Sequence, residues 1–128
     1  MSNEPAPRQR RILVVDDNRD AADALATLLR SHHQLVRQAY DGPTAVLVAE
    51  EFRPEIVFLD LVMPGTDGFA VAQSLRRLER MHTARTVLVA LSARAEPAFV
   101  EASAEAGFDT HLRKPASAEV LLGVLALN

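Results

Sequence analysis

The sequence predicts an α/β fold in which a doubly wound, five-stranded parallel sheet lies between two layers of helices. Three observations support this prediction: five short apolar runs suited to strands, a helical pattern after each run, and short connections between successive elements. Such alternation implies parallel strands, right-handed crossovers and helices on both faces of the sheet. The commonest strand order for a five-stranded version is 2-1-3-4-5.

The predicted strands are short runs rich in apolar and β-branched residues. They are ILVV at 12–15, LVRQA at 35–39, EIVFLD at 55–60, TVLVAL at 86–91 and THLR at 110–113. The first run is apolar throughout, which is typical of a strand that is buried on both faces. The expected order places the ends of the first and third strands side by side where the order reverses, which is where ligands bind in such sheets.

Five helices are predicted to follow these strands. They are expected at 19–31, 43–52, 68–80, 97–106 and 117–127. In the first helix, Ala22, Leu25 and Leu29 fall at helical spacing. Pro43 suits the first position of the second helix, and Gly107 suits a cap after the fourth.

The composition restricts the classes of function. The chain has 128 residues, which is the size of one domain, and 48% of them are apolar. It has no cysteine, which excludes disulfides, thiol catalysis and thiolate zinc sites. A net charge of −3 gives no indication of a nucleic-acid surface, and the apolar runs are about five residues long, too short to span a membrane. We therefore expect a cytoplasmic domain at 11–128 that contacts neither nucleic acid nor membrane, preceded by a polar tail or linker at 1–10.

Polar side chains stand at or just after the ends of four predicted strands. They are Asp16, Asp17, Asp60, Ser92 and Lys114. Taken singly, each is most often a turn, cap or solvated residue, but all five would meet at one edge of the sheet. Three adjacent carboxylates repel one another, and Mg²⁺, which prefers oxygen ligands, relieves that repulsion. With an ammonium group and a hydroxyl opposite, the set predicts a site for a phosphoryl group that an aspartate accepts covalently.

Five ordered motifs give the chain a family resemblance. They are ILVVDDN at 12–18, DG at 41–42, LDLVMPGTDG at 59–68, ALSA at 90–93 and RKP at 113–115. From about residue 11 to its end, the chain resembles the receiver domains of two-component response regulators. The sequence is similar to those of receivers fused to hybrid histidine kinases and also to those of single-domain regulators. The resemblance implies a flavodoxin-like, three-layer fold.

The resemblance also implies the chemistry of the site. Asp60 would be the phosphoacceptor, loaded by a sensor histidine kinase or a phosphotransfer domain in a phosphorelay. Asp17, Asp60 and the backbone carbonyl of Val62 would bind Mg²⁺ directly, and Asp16 would act mainly through water. Lys114 would pair with the acceptor carboxylate and then with the phosphoryl group. The domain would be a signalling phosphoacceptor rather than an enzyme that acts on other substrates.

A conformational switch is the expected output. Ser92 would turn toward the phosphoryl oxygens, and the change would be read at the fourth helix, fifth strand and fifth helix by a downstream protein. The aromatic switch position of the family holds His111, which either swings between inward and outward positions or is a solvated strand residue. The Lys114–Pro115 peptide is expected to be cis. We expect a monomer or a weak dimer.

Three further departures from the family pattern have consequences. His33 stands where the family often has glycine, so we expect a left-handed backbone there at modest strain. Val62 and Arg94 occupy positions that influence attack of water on the aspartyl phosphate. Because a valine side chain cannot hydrogen-bond a water molecule, the sequence predicts slow loss of the phosphoryl group.

Three other functions are alternatives to a phosphorylated receiver. An aspartate-nucleophile phosphatase of the haloacid-dehalogenase type needs an Asp-x-Asp motif, which neither the adjacent Asp16 and Asp17 nor Asp60 provides. A flavin or nucleotide binder would need glycines or hydroxyls after the first strand, where two carboxylates stand instead. A receiver-like module that binds without being phosphorylated is the third alternative.

Overall fold

The main sheet consists of five parallel strands in the predicted order. The computed structural model describes residues 8–82 and 85–128. The sheet contains β1 (Arg11–Val15), β2 (Leu35–Ala39), β3 (Ile56–Asp60), β6 (Val87–Ser92) and β7 (Thr110–Arg113), and its order is β2-β1-β3-β6-β7. In terms of the five predicted strands this order is 2-1-3-4-5, so the predicted topology is confirmed. The short strands β4 (Val62–Met63) and β5 (Thr66–Asp67) form a separate antiparallel ribbon, where the sequence predicted only a turn-rich loop.

Five helices connect or follow the strands of the main sheet. They are α1 (Arg19–Ser31), α2 (Gly42–Phe52), α3 (Gly68–His82), α4 (Pro97–Glu105) and α5 (Ala118–Ala126). Their ends lie within two residues of the predicted ones. Side-chain caps stabilise four of the starts, where a backbone N–H in the first turn donates to Asn18, Asp41, Asp67 or Ser117.

Alternating residues of the central strands pack against opposite helical layers. Leu13 and Val15 belong to the core cluster that includes residues of α2 and α3, whereas Ile12 and Val14 belong to the cluster with α1 and α5. This alternation follows from the two-residue period of a strand. Phe58 on β3 is fully buried in the second cluster. The helices therefore cover both faces, as predicted.

Three of the four positive φ angles within residues 8–82 and 85–128 follow the ends of helices, and the fourth is at Gly65 between β4 and β5. His33 has φ 67° after α1, as the sequence predicted for this position, and Arg53 has φ 52° after α2, which was not predicted. Gly107 follows α4 with φ 111°, and an added Cβ there would lie 3.3 Å from Cγ of Arg76. The Lys114–Pro115 peptide is cis, as expected.

The predicted polar tail is described only from residue 8. Arg8 forms an ion pair with Glu55 at 2.7 Å, and the backbone N–H of Arg10 donates to Oε1 of Gln34 at 2.8 Å. Residues 1–7 of the predicted tail lie outside the described residues. Within the described ranges, none of the helices combines the length and the apolar character that crossing a membrane requires.

Candidate functional site

Three aspartates meet at the carboxyl ends of β1 and β3. Val15 pairs with Leu59 in the sheet, so Asp16 and Asp60 follow on neighbouring strands at the same level. Asp16, Asp17 and Asp60 each offer a carboxylate oxygen, and these oxygens lie within 4.8 Å of one another. Asp16 and Asp60 are buried, with 4% and 5% of their surface exposed, whereas Asp17 is exposed. The structure therefore brings together the three carboxylates that the sequence predicted.

Local hydrogen bonds orient the two buried carboxylates. The Asp16 backbone N–H donates to the carbonyl of Ala39, and its Oδ1 accepts from the Asn18 N–H at 3.0 Å. Oδ1 of Asp60 accepts from the Val62 N–H, also at 3.0 Å. In each residue a backbone donor two positions later engages one carboxylate oxygen, which leaves the second oxygen to face the centre of the site.

Lys114 reaches the two buried carboxylates from the end of β7. Its Nζ donates to Oδ2 of Asp16 at 2.9 Å and to Oδ2 of Asp60 at 3.1 Å. The backbone supports this reach, because the Lys114 N–H donates to the carbonyl of Ser92 at 2.9 Å. The predicted ammonium thus lies directly at the acidic cluster.

The site perturbs the protonation of its members. Burial raises the pKa of Asp60, and the nearby charge of Asp16 adds to the rise, while the Val62 N–H and Lys114 oppose it. Burial alone would lower the pKa of Lys114, but the hydrogen bonds and charges of the two carboxylates outweigh it and raise that pKa. The ammonium form of Lys114 is therefore favoured, and Asp60 is held in a site that disfavours an uncompensated negative charge.

Ser92 lies one position beyond the strand partner of Asp60. Leu91 pairs with Asp60, and Ser92 itself is fully buried. Its Oγ accepts a hydrogen bond from the Arg94 N–H at 3.0 Å. Val62, by contrast, is 56% exposed.

His111 belongs to an aromatic stack that the sequence did not predict. Its ring is partly buried and meets the ring of Phe99 edge-on at 6.0 Å between centroids. Phe99 has two further neighbours. The centroid of the Phe69 ring lies 5.8 Å from the centroid of the Phe99 ring, and the guanidinium carbon of Arg94 lies 4.3 Å from the same centroid. His111 is thus a packed residue, not a solvated one, and its role as a switch stays a prediction. No sequence signal pointed to Phe69 or Phe99, because their contact depends on how α3 and α4 pack.

Comparison with known proteins decides the family. The response regulator receiver domain family matches residues 12–126. This chain belongs to the receiver domain family. The receiver fold and the two-component signalling context expected from the sequence are therefore confirmed. Membership in this family argues against the phosphatase and the nucleotide binder.

Three relatives show the range of proteins that this receiver resembles. The DNA-binding dual master transcriptional regulator RpaA of Synechocystis is 35% identical over 112 residues, which cover 88% of this chain but 46% of that protein, so the receiver spans about half of its length. A receiver domain of a sensor histidine kinase from Pseudomonas aeruginosa PAO1, solved with a magnesium ion coordinated in the active site cleft, is 29% identical with a TM-score of 0.81 and coverage of 94% and 97%. A response regulator from Burkholderia pseudomallei with a phosphorylated aspartic acid, a calcium ion and citrate is 28% identical, with a TM-score of 0.83 and coverage of 91% and 66%.

The donor set of this receiver fits a hard divalent cation. Three carboxylates and one ammonium group lie in contact or within a few ångströms, so the site carries a net charge of −2 when all four are ionised. Carboxylate and backbone carbonyl oxygens are the ligands that Mg²⁺ prefers, and it usually takes only one or two carboxylates while keeping several waters. Asp17 is exposed, so the group of carboxylates that would hold such a cation is accessible to solvent on that side.

An apolar cleft opens beside the acidic site of the receiver. It has a volume of about 670 Å³ and lies between α1 and α5, with Leu25, Leu28 and Leu121 in its walls. Asp16 and Lys114 line the same cleft. A protein that approaches the aspartates from this side would therefore meet apolar surface around a charged centre.

Proposed function

We propose that this receiver accepts a phosphoryl group on Asp60 from the phosphohistidine of a sensor histidine kinase or phosphotransfer domain, in a reaction that depends on Mg²⁺. The observation that carries the proposal is the position of the Lys114 ammonium, which bridges Asp16 and Asp60 at an edge that Asp17 completes. A buried carboxylate flanked by a cation and by further metal-type ligands can act as an activated nucleophile.

The transfer is a substitution at phosphorus. A carboxylate oxygen of Asp60 forms the new P–O bond while the P–N bond to the donor imidazole breaks, and the imidazole takes up a proton as it leaves. The Val62 N–H holds Oδ1 of Asp60 and so fixes the plane of the nucleophile. Lys114 already contacts Oδ2 of Asp60 and would then bind the negatively charged oxygens of the transferred phosphoryl group.

The metal would be held by Asp17, Asp60 and the Val62 carbonyl, with Asp16 acting through water. When bound, Mg²⁺ would neutralise negative charge on the phosphoryl oxygens. The relatives with a bound magnesium ion and with a phosphorylated aspartic acid support this assignment by similarity.

Phosphorylation would act as a signal through Ser92 and Lys114. It adds about −1.5 to −2 charges and three strong acceptor oxygens. A hydroxyl contact from Ser92 and an ammonium contact from Lys114 would then favour a second conformation of the loop after β6. The readout face would be α4, β7 and α5, where a downstream protein would bind. The apolar cleft between α1 and α5 would give the donor protein its approach to Asp60.

The proposal is tested by treating the protein with acetyl phosphate and Mg²⁺ and measuring its intact mass. We expect the wild type to gain one phosphoryl group, and Asp60→Asn to gain none. Asp67→Asn is the matched control. Asp67 lies close to Asp60 in the chain and caps α3, but it is not part of the acidic cluster. This variant should be labelled like the wild type. No gain by the wild type would favour the receiver-like binding module, and steady release of phosphate from a generic phosphate ester would favour the phosphatase.

A further inference from the structure

Arg94 connects the hydroxyl of Ser92 to the first turn of α4. Its backbone N–H donates to Oγ of Ser92 at 3.0 Å, and its guanidinium carbon lies 4.3 Å from the centroid of the Phe99 ring. Its Nε also lies 3.4 Å from Oε2 of Glu96, although both of those side chains are more than half exposed. The same residue therefore contacts Ser92 with its backbone and α4 with its side chain.

Phe99 is the centre of the contact. Arg94 lies over its ring, Phe69 packs against it at 5.8 Å, and His111 on β7 meets it edge-on at an interplanar angle of 84°. The Nε2 atom of His111 is buried and has no hydrogen-bond partner within residues 8–82 and 85–128. No polar partner therefore fixes Nε2, and a displacement of Phe99 would change the ring contact that His111 makes.

We propose that the contact between Arg94 and Phe99, here called the Arg94–Phe99 latch, holds this receiver in its resting conformation. The proposal rests on the proposed function, because it concerns the response of Ser92 to a phosphoryl group on Asp60. For Ser92 to turn toward that group, its hydroxyl leaves the Arg94 N–H. The guanidinium held over Phe99 restrains the backbone of residue 94, so the latch favours the conformation in which Ser92 remains bonded to Arg94.

The latch predicts a specific energetic signature. A contact made only in the resting state shifts the equilibrium toward that state, and its removal strengthens binding of any ligand that selects the other state. An exposed cation–π contact corresponds to about a two- to fivefold change in an equilibrium constant. A role of Arg94 as a phosphoryl ligand predicts the opposite sign, and a purely structural role predicts no change in ligand affinity.

Beryllofluoride with Mg²⁺ is a suitable probe, because it imitates a phosphoryl group on a carboxylate without a covalent step. Its affinity can be measured by titration calorimetry on the whole protein. We expect Arg94→Ala and Phe99→Leu to bind about two- to fivefold more tightly than the wild type. Arg94→Lys, which keeps a cation over the ring, should restore an affinity near that of the wild type. Glu96→Gln is the matched control and should leave the affinity unchanged, because the ion pair it removes is solvent-exposed.

Coupling between the two residues gives the second measurement. If Arg94 and Phe99 act through one contact, the double variant gains no more affinity than either single variant. Unchanged or weaker binding by Arg94→Ala, with normal binding by the wild type, would overturn the latch and leave the proposed function intact. Absence of binding by the wild type would overturn the proposed function, and the latch with it.

Discussion

Nζ of Lys114 lies 3.1 Å from Oδ2 of Asp60, although the two residues are 54 positions apart in the chain. The same ammonium group lies 2.9 Å from Oδ2 of Asp16. It therefore partly neutralises the buried carboxylates when no cation is bound, and the strands β1, β3 and β7 are connected through it.

Lys114→Met should make the protein less stable and more responsive to Mg²⁺. The two buried carboxylates would lose the ammonium group that contacts both of them, so we expect the free energy of unfolding in EDTA to fall by about 1–2 kcal/mol. The variant should gain more stability from Mg²⁺ than the wild type, since the cation would relieve a larger repulsion. Urea unfolding in EDTA and in Mg²⁺ measures both effects; equal stabilisation of the two proteins by Mg²⁺ would contradict the expectation.

Asp60→Asn should stabilise the metal-free protein at neutral pH. Burial raises the pKa of Asp60 above its usual value of 3.8, so the ionised carboxylate is less favourable in the folded than in the unfolded chain. The contribution of Asp60 to stability is therefore greatest below pH 3.8 and is lost as the pH rises through the raised pKa.

The gain in Asp60→Asn should accordingly be about 1–3 kcal/mol at pH 7 and should shrink as the pH falls toward 4. Thermal or urea unfolding of both proteins in EDTA from pH 4 to pH 8 measures the difference. A difference that grew at low pH would show that the sign is wrong.

Val62 should keep the phosphorylated protein long-lived. Its side chain is 56% exposed and has no group that can hydrogen-bond a water molecule. We expect Val62→Asn to shorten the lifetime about fivefold, which corresponds to one hydrogen bond of about 1 kcal/mol. Val62→Ala is the control, because it keeps the backbone carbonyl and remains apolar. The decay of the phosphorylated mass after removal of acetyl phosphate gives both rates, and loss within seconds in the wild type would refute the prediction.

His33→Gly should stabilise the protein. His33 has φ 67°, a left-handed conformation that strains a side chain with Cβ but not glycine. Because glycine also gains freedom in the unfolded chain, the net gain should be about 0.5–1 kcal/mol. His32→Gly next to it, at φ −106°, should destabilise instead. Chemical denaturation of the two variants checks the pair, and a loss of stability in His33→Gly would contradict the account.

Much of the fold and the composition of the site were predictable, because short apolar runs indicate the strands and the polar residues at their ends indicate the site. The apolar run of β1 is followed by Asp16 and that of β3 ends on Asp60; parallel packing brings both ends to one edge of the sheet, and the strand order makes them neighbours. The alternation of elements predicted parallel strands, whereas the strand order was predicted as the commonest arrangement of a five-stranded sheet and not from a local signal. His33 was recognisable as a left-handed position only by its resemblance to a family pattern.

The features that were missed depend on tertiary packing or on very short elements. Strands β4 and β5 have two residues each, and their pairing of Val62 with Asp67 leaves no periodic signal. The contact between Phe99 and His111 joins two elements whose relative position no local pattern specifies. The left-handed backbone of Arg53 could not be predicted from the residue type, because arginine is not enriched in the left-handed region.

The identity of the modified residue is the most direct test of the central claim. After treatment with acetyl phosphate and Mg²⁺, borohydride reduces an aspartyl phosphate to homoserine, and peptide mass mapping then locates the changed residue. The account predicts homoserine at position 60 alone, in a yield that falls when Mg²⁺ is replaced by EDTA. Homoserine at position 16 or 17, or an unchanged residue 60 in phosphorylated protein, would contradict it.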